Sequence, residues 1–285
     1  MKQRHRPSRL DKSDQGRASV SVARSSSLQK KYMVVQCNIY YSGTDPISGN
    51  LMLRSARRGA DNAIADNFVR LIRDKKDVMI IGMQEIASQF VVGIVDKLDY
   101  VTGYQWDHHS AETGKVHNNN GGVAIFWRKG VIAASQLSTI NLGTDSNYQY
   151  RAVAGVFRLR EGGKRFIFAT CKLSFDDADA RLRETVKLLS GVHALVRKTG
   201  VTCVIIALDM NSEPKSRPYK CFVKYDYYDG GMQAPSGAGP LDTVSWPNRR
   251  IDYLWYLGRR GFGEWTNVSG YYGSDHHFLW ARVKI

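Results

Sequence analysis

The run V-T-C-V-I-I-A-L-D-M-N, residues 201–211, decides the reading of the chain. An apolar stretch this short and this rich in Val and Ile suits a strand buried on both faces. It stops abruptly at Asp209 and Asn211. The same sentence is written elsewhere. VVQC runs into Asn38, IIGMQ into Glu85, and NRRI leads into Asp252, while Asp275 and His276 stand just before FLWARV. Strand ends of one sheet converge on one edge, so these groups are expected to meet although far apart in the chain.

Working outward, YMVVQCNIYY and VMIIGMQEI read as strands, and residues 50–76 between them carry Ala60, Ile64, Phe68, Leu71 and Ile72 at helical spacing. ASQFVVGIVDKLDY reads as a helix. GGVAIFWRKGVI reads as a strand, and YRAVAGVFRLREGGKRFIFATCKLS as a hairpin turning at Glu161–Gly163. ADARLRETVKLLSGVHALVRKTG is amphipathic, with Leu182, Val186, Leu189, Val192 and Val196 near one face and Gly200 closing it. IDYLWYL and HHFLWARVKI supply the last strands, after a loop-rich stretch over 210–250. Helix and sheet occur in both halves. The pattern predicts an α+β fold, a four-layer α/β/β/α sandwich in which two mixed β-sheets pack face to face with helices outside. No internal sequence repeat is found.

The chain has 285 residues, 43% of them hydrophobic, enough for one large core or two small ones. Residues 1–31 stand apart. They hold nine Lys/Arg and two Asp, much Ser and few large apolar side chains, which predicts a flexible basic tail ahead of a domain over 32–285. A nucleic-acid arm, a targeting segment and an inert extension all fit it. The formal net charge is +15, and residues 32–285 alone carry +8. That suits nucleic acid, anionic lipid headgroups or phosphorylated small molecules, although a merely soluble basic protein has the same balance. Cys37, Cys171, Cys203 and Cys221 form no C-x-x-C pair and have no zinc-ligand spacing, so reduced, buried thiols are expected. No run of 18 apolar residues predicts a membrane span, and no hydrophobic segment follows the N-terminal charges as in a secretory signal. An intracellular site is favoured, with nuclear or organellar addressing by the tail as an option. A monomer is expected.

Taken singly, each polar strand end has a plain reading as a turn or a helix cap. Together they bring several carboxylates into one cleft, where each resists ionisation unless a cation compensates. Oxygen ligands of that kind suit Mg2+ or Mn2+. The ordered set Gln36–Asn38, Gln84–Glu85, Leu208–Asn211, Ile251–Tyr253 and Ser274–His276 resembles the endonuclease/exonuclease/phosphatase superfamily, from about Met33 to Ile285. The resemblance implies a metal-dependent phosphodiesterase. It makes Glu85 the principal metal ligand, with Asn38 and Asp275 adjoining the metal. Asp209 would orient or deprotonate the attacking water, and Asn211 would hydrogen-bond the scissile phosphate. His276 would contact the phosphate, Asp252 would hold its imidazole, and Arg151 would lie near the phosphate.

One departure stands out. Where the superfamily has a second histidine, Thr170-Cys171-Lys172-Leu173 places Lys172. The lysine then serves as an electrostatic substitute, or His108, His109 or His117 moves in, or the activity is weakened or specialised. The histidines of HHSAETGKVHNNNGG are expected on a solvated loop. The superfamily cleaves DNA, RNA and small phosphate esters, so the substrate is not fixed by the resemblance. Arg249 and Arg250, with Tyr225, Tyr227, Tyr228, Trp246, Tyr271 and Tyr272, suit a nucleic-acid backbone and stacked bases. The expected function is therefore a nuclease, DNA weakly preferred over RNA. A phosphatase on inositol phosphates or another small substrate, and a non-catalytic nucleic-acid-binding protein, are the alternatives.

Overall fold

A computed structural model describes residues 32–39, 72–73, 77–86, 90–116, 119–144, 148–233, 242–245, 248–257, 262–268, 274 and 276–285. The basic tail expected over 1–31 lies outside the described residues. So does the helix expected over 50–76, apart from Ile72 and Arg73, which are helical.

In chain order the elements are β1 (Tyr32–Asn38), β2 (Val78–Gln84), α1 (Val91–Thr102), β3 (Trp106–Val116), β4 (Asn119–Arg128), β5 (Ile132–Thr144), β6 (Gln149–Leu159), β7 (Arg165–Lys172), α2 (Ala178–Thr199), β8 (Val204–Asp209), α3 (Arg217–Lys224), β9 (Tyr227–Asp229), the single turn α4 (Gly230–Gln233), β10 (Val244–Ser245), β11 (Asn248–Arg249), β12 (Asp252–Leu257), β13 (Phe262–Val268) and β14 (Phe278–Val283). They form two six-stranded sheets, ordered β13-β14-β1-β2-β4-β3 and β5-β6-β7-β8-β12-β9, and a two-stranded ribbon of β10 and β11. Both large sheets are mixed. Each has one parallel pair at its centre, β1 with β2 and β7 with β8, flanked by antiparallel strands.

The period of two along the strands sorts side chains into three cores. Val34, Ile80, Val123, Phe168, Ile205, Ala207 and Leu254 face the opposite sheet. Val35, Ile81 and Met83 face outward onto Ile94 and Leu98 of α1. On the other side Ile206, Leu208, Tyr253 and Trp255 pack with Leu188, Leu189 and Val192 of α2 and Phe222 of α3. Helix, sheet, sheet and helix are thus four layers, as the alternation of strand and helix patterns predicts. The helices stop where their chemistry says they should. Asp177 caps α2 by accepting from the Asp179 and Ala180 amides, and Gly200 ends it at φ 69°.

Three expectations need correction. The HHSAETGKVHNNNGG stretch is no loop. It supplies most of the β3–β4 pairing, with His108 opposite Phe126 and His109 opposite Ile125, and only residues 117–118 between the strands lie outside the described residues. Its polar strand β3 sits at a sheet edge, where one face meets solvent and few apolar residues are needed. The long β5, also an edge strand, was not expected beyond Val131 and Ile132. Its burial alternates only partly and its pairing with β6 slips at two points. The stretch 210–250 holds α3, capped by Ser216 and started by Pro218, so it is less loop-rich than its Gly, Pro and Tyr content suggests. The four cysteines are unpaired, Cys37 and Cys171 buried. Among the described residues no helix is long and apolar enough to cross a membrane.

The two sheets come close together at Gly82. A Cβ added there would lie 2.8 Å from Thr170 Oγ1 and 2.9 Å from the Ala207 Cβ of the opposite sheet. Gly82→Ala is therefore expected to lower unfolding stability by about 1–3 kcal/mol through overpacking, read as a lower urea midpoint with an unchanged slope. An unchanged midpoint would mean that the two sheets can separate locally at little cost.

Candidate active site

The side chains that continue the inter-sheet face of β1, β2, β7, β8 and β12 turn polar at one edge. On β1 the inward set runs Tyr32, Val34, Gln36, Asn38. On β7 it ends at Thr170 and Lys172, and on β8 at Asp209. Asp252 opens the antiparallel β12. Pairing then fixes the level: Asp209 stands opposite Lys172 on one side and Asp252 on the other. In the facing sheet Asn38 stands opposite Gln84, one residue before Glu85. The strand ends therefore meet because the strands are in register and share an inward parity.

Buried amides hold the two sheets together beneath this edge. Gln36 Nε2 donates to Gln84 Oε1 at 2.9 Å and, across the interface, to Asp252 Oδ1 at 2.8 Å. Gln84 Nε2 donates to Thr170 Oγ1 at 2.7 Å. One level up, Asn38 Nδ2 donates to both Glu85 Oε1 and Asp209 Oδ2, each at 2.9 Å. Lys172 Nζ forms an ion pair with Glu85 Oε1. Both contacts of Glu85 fall on Oε1, which leaves Oε2 as the oxygen available to a cation.

Asp252 also accepts from His276, whose Nδ1 lies 2.8 Å from Oδ2. This bond fixes the Nδ1–H tautomer and turns Nε2 to the site. The segment before β14 is pinned by Ser274, whose hydroxyl donates to the Asn38 carbonyl at 2.7 Å and accepts from the His276 amide at 3.0 Å. Thr243 Oγ1 accepts from the amides of Ile251 and Asp252 at 2.9 and 3.0 Å, anchoring the start of β12. Asn211 N donates to Asp209 Oδ1 at 2.9 Å, and Asn211 Nδ2 donates to the Leu173 carbonyl at 2.8 Å. Glu85 and Asn211 both adopt left-handed backbone, φ 56° and 48°. For a residue with a Cβ this costs on the order of 1 kcal/mol, a strain met most often at functional positions.

The electrostatics follow from burial and crowding. Burial pushes the Asp209 carboxyl up, and the Asp252 charge adds to it. His276 and Lys172 oppose the rise, which settles at about 6. Burial also pushes Glu85 up, but the Lys172 ammonium and the Asn38 amide outweigh it and hold Glu85 below its ordinary range. For Lys172 burial alone would favour the neutral amine. The charges of Glu85 and Asp209 win, and the amine is held above the ordinary lysine range. It is a fixed cation at neutral pH and not a proton donor.

Glu85, Asp209 and His276 each offer a ligand atom within 4.8 Å of the others. Two carboxylates and an imidazole, all buried, fit a divalent cation. Asn38 adjoins this group. Asp275 lies outside the described residues. Arg151 stands on β6, next to β7, and its guanidinium bonds Gln149 without touching the cluster. His108 and His109 sit on β3 at the sheet edge and do not join it; His117 lies outside the described residues.

The expected basic and aromatic surface is smaller than the sequence suggests. Arg250 is buried in an ion pair with Asp229, which Tyr219 also bonds at 3.0 Å. Tyr227 is buried against Phe222, whereas Tyr225 and Arg249 are exposed. Trp246, Tyr271 and Tyr272 lie outside the described residues. Conversely, Tyr148 was not singled out. It feels the charges of Glu85, Lys172 and Asp209, and its hydroxyl lies 2.9 Å from Thr113 Oγ1. A lone Tyr before a strand carries no signal in the sequence that would find it.

With this geometry in view, comparison with known proteins gives a consistent answer. The chain superposes on a Bacteroides thetaiotaomicron endonuclease/exonuclease/phosphatase family protein with a TM-score of 0.72 and 15% identity, over 89% of this chain and 95% of that one. This chain has the endonuclease/exonuclease/phosphatase fold. The same fold carries the Bacteroides thetaiotaomicron mannosyl-6-phosphatase Bt3783, matched with a TM-score of 0.70 and 15% identity over 89% of this chain and all of that one. In sequence the chain is 27% identical over 164 residues to the carbon catabolite repressor protein 4 homolog 3 of Arabidopsis thaliana. That match covers 55% of this chain and a third (33%) of the length of the relative. No family model matches.

The raised Asp209 has a measurable consequence. Its folded pKa of about 6 exceeds the unfolded value near 4, so between these the folded state binds the extra proton. Stability from this group is therefore lost as pH rises from about 4 to about 6. Glu85 acts in the opposite sense, but below pH 4.5. In EDTA, the stability of Asp209→Asn relative to the parent is expected to rise by about 1–3 kcal/mol between pH 4 and 7, measured by urea unfolding. A pH-independent difference would show that Asp209 ionises normally.

Proposed function

We propose that the protein is a divalent-metal-dependent phosphoester hydrolase, and that its substrate is a nucleic-acid phosphodiester. The observation that carries the reading is the buried cluster of Glu85, Asp209 and His276 at the edge of the sheet interface. Glu85, Asp209 and Asn38 would hold Mg2+ or Mn2+, with Asp275 beside them. A bound ion supplies Lewis acidity and neutralises charge on the phosphate.

The chain's own residues then divide the remaining work. Asp209, buried and pushed up to about 6 in the metal-free chain, would give one oxygen to the ion and use the other to orient the attacking water and accept its proton. Once protonated, Nε2 of His276 would donate to phosphate oxygens on which charge develops, as would Asn211 Nδ2 on exchanging the Leu173 carbonyl for the phosphate. Asp252 keeps the His276 ring in one orientation. Lys172 contributes a fixed positive charge. Arg151, one strand further out, extends the positive rim toward the flanking phosphate. In-line attack on phosphorus followed by departure of the ester oxygen completes the hydrolysis.

The preference for nucleic acid rests on charge. Residues 32–285 carry +8, and such a field raises the encounter rate of a polyanion more than that of a small phosphate. A DNA preference over RNA is the weakest part of the reading. The structural match to mannosyl-6-phosphatase Bt3783, together with the withdrawal of Arg250 and Tyr227 from the surface, supports a small phosphorylated substrate as the second reading.

A substrate panel of plasmid DNA, RNA, inositol phosphates and a sugar phosphate, with Mg2+ or Mn2+ and an EDTA control, separates the two. Metal-dependent cleavage of a polynucleotide is expected. Phosphate release from the small esters alone would replace the nuclease reading by the second one. Nucleic-acid binding without turnover, indifferent to Glu85→Ala, would make the chain a binding protein. Asp209→Ala and His276→Ala are each expected to lower the rate by about 10²–10⁴-fold. Full activity in both would remove the site assignment.

A further inference from the structure

We propose that the ammonium of Lys172 is a built-in cation of the carboxylate cluster, held at Glu85 Oε1, so that the site takes a single divalent ion. This rests on the metal-dependent reading above and goes beyond it by fixing how many ions the site holds.

The placement of Lys172 carries the argument. It ends β7 directly opposite Asp209 in the parallel pairing with β8. From there it crosses the sheet interface to Glu85, with which it forms its ion pair. Its side chain is only 15% exposed and that of Glu85 6%, so neither charge is balanced by bulk water. The ammonium thus lies between the two carboxylates a metal would use. On the far side of the same oxygen, Asn38 Nδ2 bridges Glu85 Oε1 and Asp209 Oδ2. A divalent ion sharing these carboxylates has Glu85 Oε2 and a lone pair of Asp209 to bind, and the position at Oε1 is already filled.

Charge leads to the same conclusion. Among the described residues the buried cluster contains three carboxylates, Glu85, Asp209 and Asp252. The ammonium and one divalent ion neutralise them. A second divalent ion would leave two positive charges without partners in a buried site, and buried unpaired charge is strongly unfavourable. The imidazole of His276, if charged, adds to the excess. With Lys172 removed, one divalent ion leaves the cluster negative and leaves space beside Oε1, and a second ion becomes favourable.

Lys172 is thereby a positioning and charge-setting residue for the ion, and the test reads ion binding directly. Titration of the metal-free full chain with Mn2+, followed by calorimetry and by loss of the free-ion EPR signal, is expected to give one ion per chain. Lys172→Ala is expected to bind two. Lys172→Gln retains bulk without charge, and is expected to bind its ion at least tenfold more tightly than the parent. Thermal melts read folding in the same samples, and Mn2+ is expected to raise the melting temperature of Lys172→Ala by more than that of the parent. Two ions on the parent, or one ion on Lys172→Ala, or an unchanged affinity in Lys172→Gln, would overturn the inference while leaving the metal-dependent reading intact. No Mn2+ bound by any of the three proteins would overturn that reading and this inference with it.

Discussion

Three buried carboxylates at one edge of a sheet interface are the constraint to which the rest of the molecule answers. Like charges in a medium of low polarisability repel strongly, and none of the three can shed its charge into water. The structure disperses the problem. Asp252 is given Gln36 and the imidazole of His276. Glu85 is given Lys172 and Asn38. Asp209 receives hydrogen bonds from Asn38 and Asn211 but no ion pair of its own, and burial and the Asp252 charge push its pKa up. The carboxylate left least compensated is the one to which the proposed hydrolysis assigns the attacking water.

The sandwich makes such a cluster possible. A single sheet presents neighbouring strand ends about 5 Å apart on one face. Two sheets packed face to face bring a second row opposite the first, so that Asn38 and Glu85 from one meet Lys172, Asp209 and Asp252 from the other. The close approach at Gly82 and the Gln84–Thr170 bond lie one step beneath the site and hold the two rows at this spacing. The left-handed backbone at Glu85 and Asn211 turns the chain sharply just past the strand ends. The strain is tolerated because the strands behind it are buried on both faces.

Much of this was legible in the sequence because buried central strands leave a plain record. Asn38, Glu85, Asp209 and Asp252 each interrupt or adjoin an apolar run too hydrophobic to be anything but interior, and the interruption is itself the signal. The record is weaker where one face meets water. β5 and β3 are edge strands whose solvent-facing halves are polar, so β5 was largely missed and β3 was taken for a loop. Arg250 and Tyr227 were read as a surface for nucleic acid because sequence shows charge and aromaticity but not depth. Their burial depends on Asp229 and Phe222, which only the fold brings near. Tyr148 feels the charges of Glu85 and Lys172, a relation that no spacing along the chain encodes.

Lys172 brings these points together. At the sequence level it is a single departure from a resemblance, and it left open whether another histidine replaces the missing one or the lysine acts by charge. Its position favours action by charge: His108 and His109 lie on the edge strand away from the cluster, and His117 lies outside the described residues. A histidine at the end of β7 would be shorter and titrate near neutrality, giving up a proton where a developing charge calls for one. The lysine instead spans the interface to Glu85 and is locked in its charged form by two carboxylates. Held in that form it is no proton relay, and the proposed mechanism leaves proton transfer to Asp209 and His276. What it adds is a positive charge that is present before any ion or substrate arrives. Part of the charge compensation that these carboxylates demand is thus written into the chain, and a bound ion would have less left to supply.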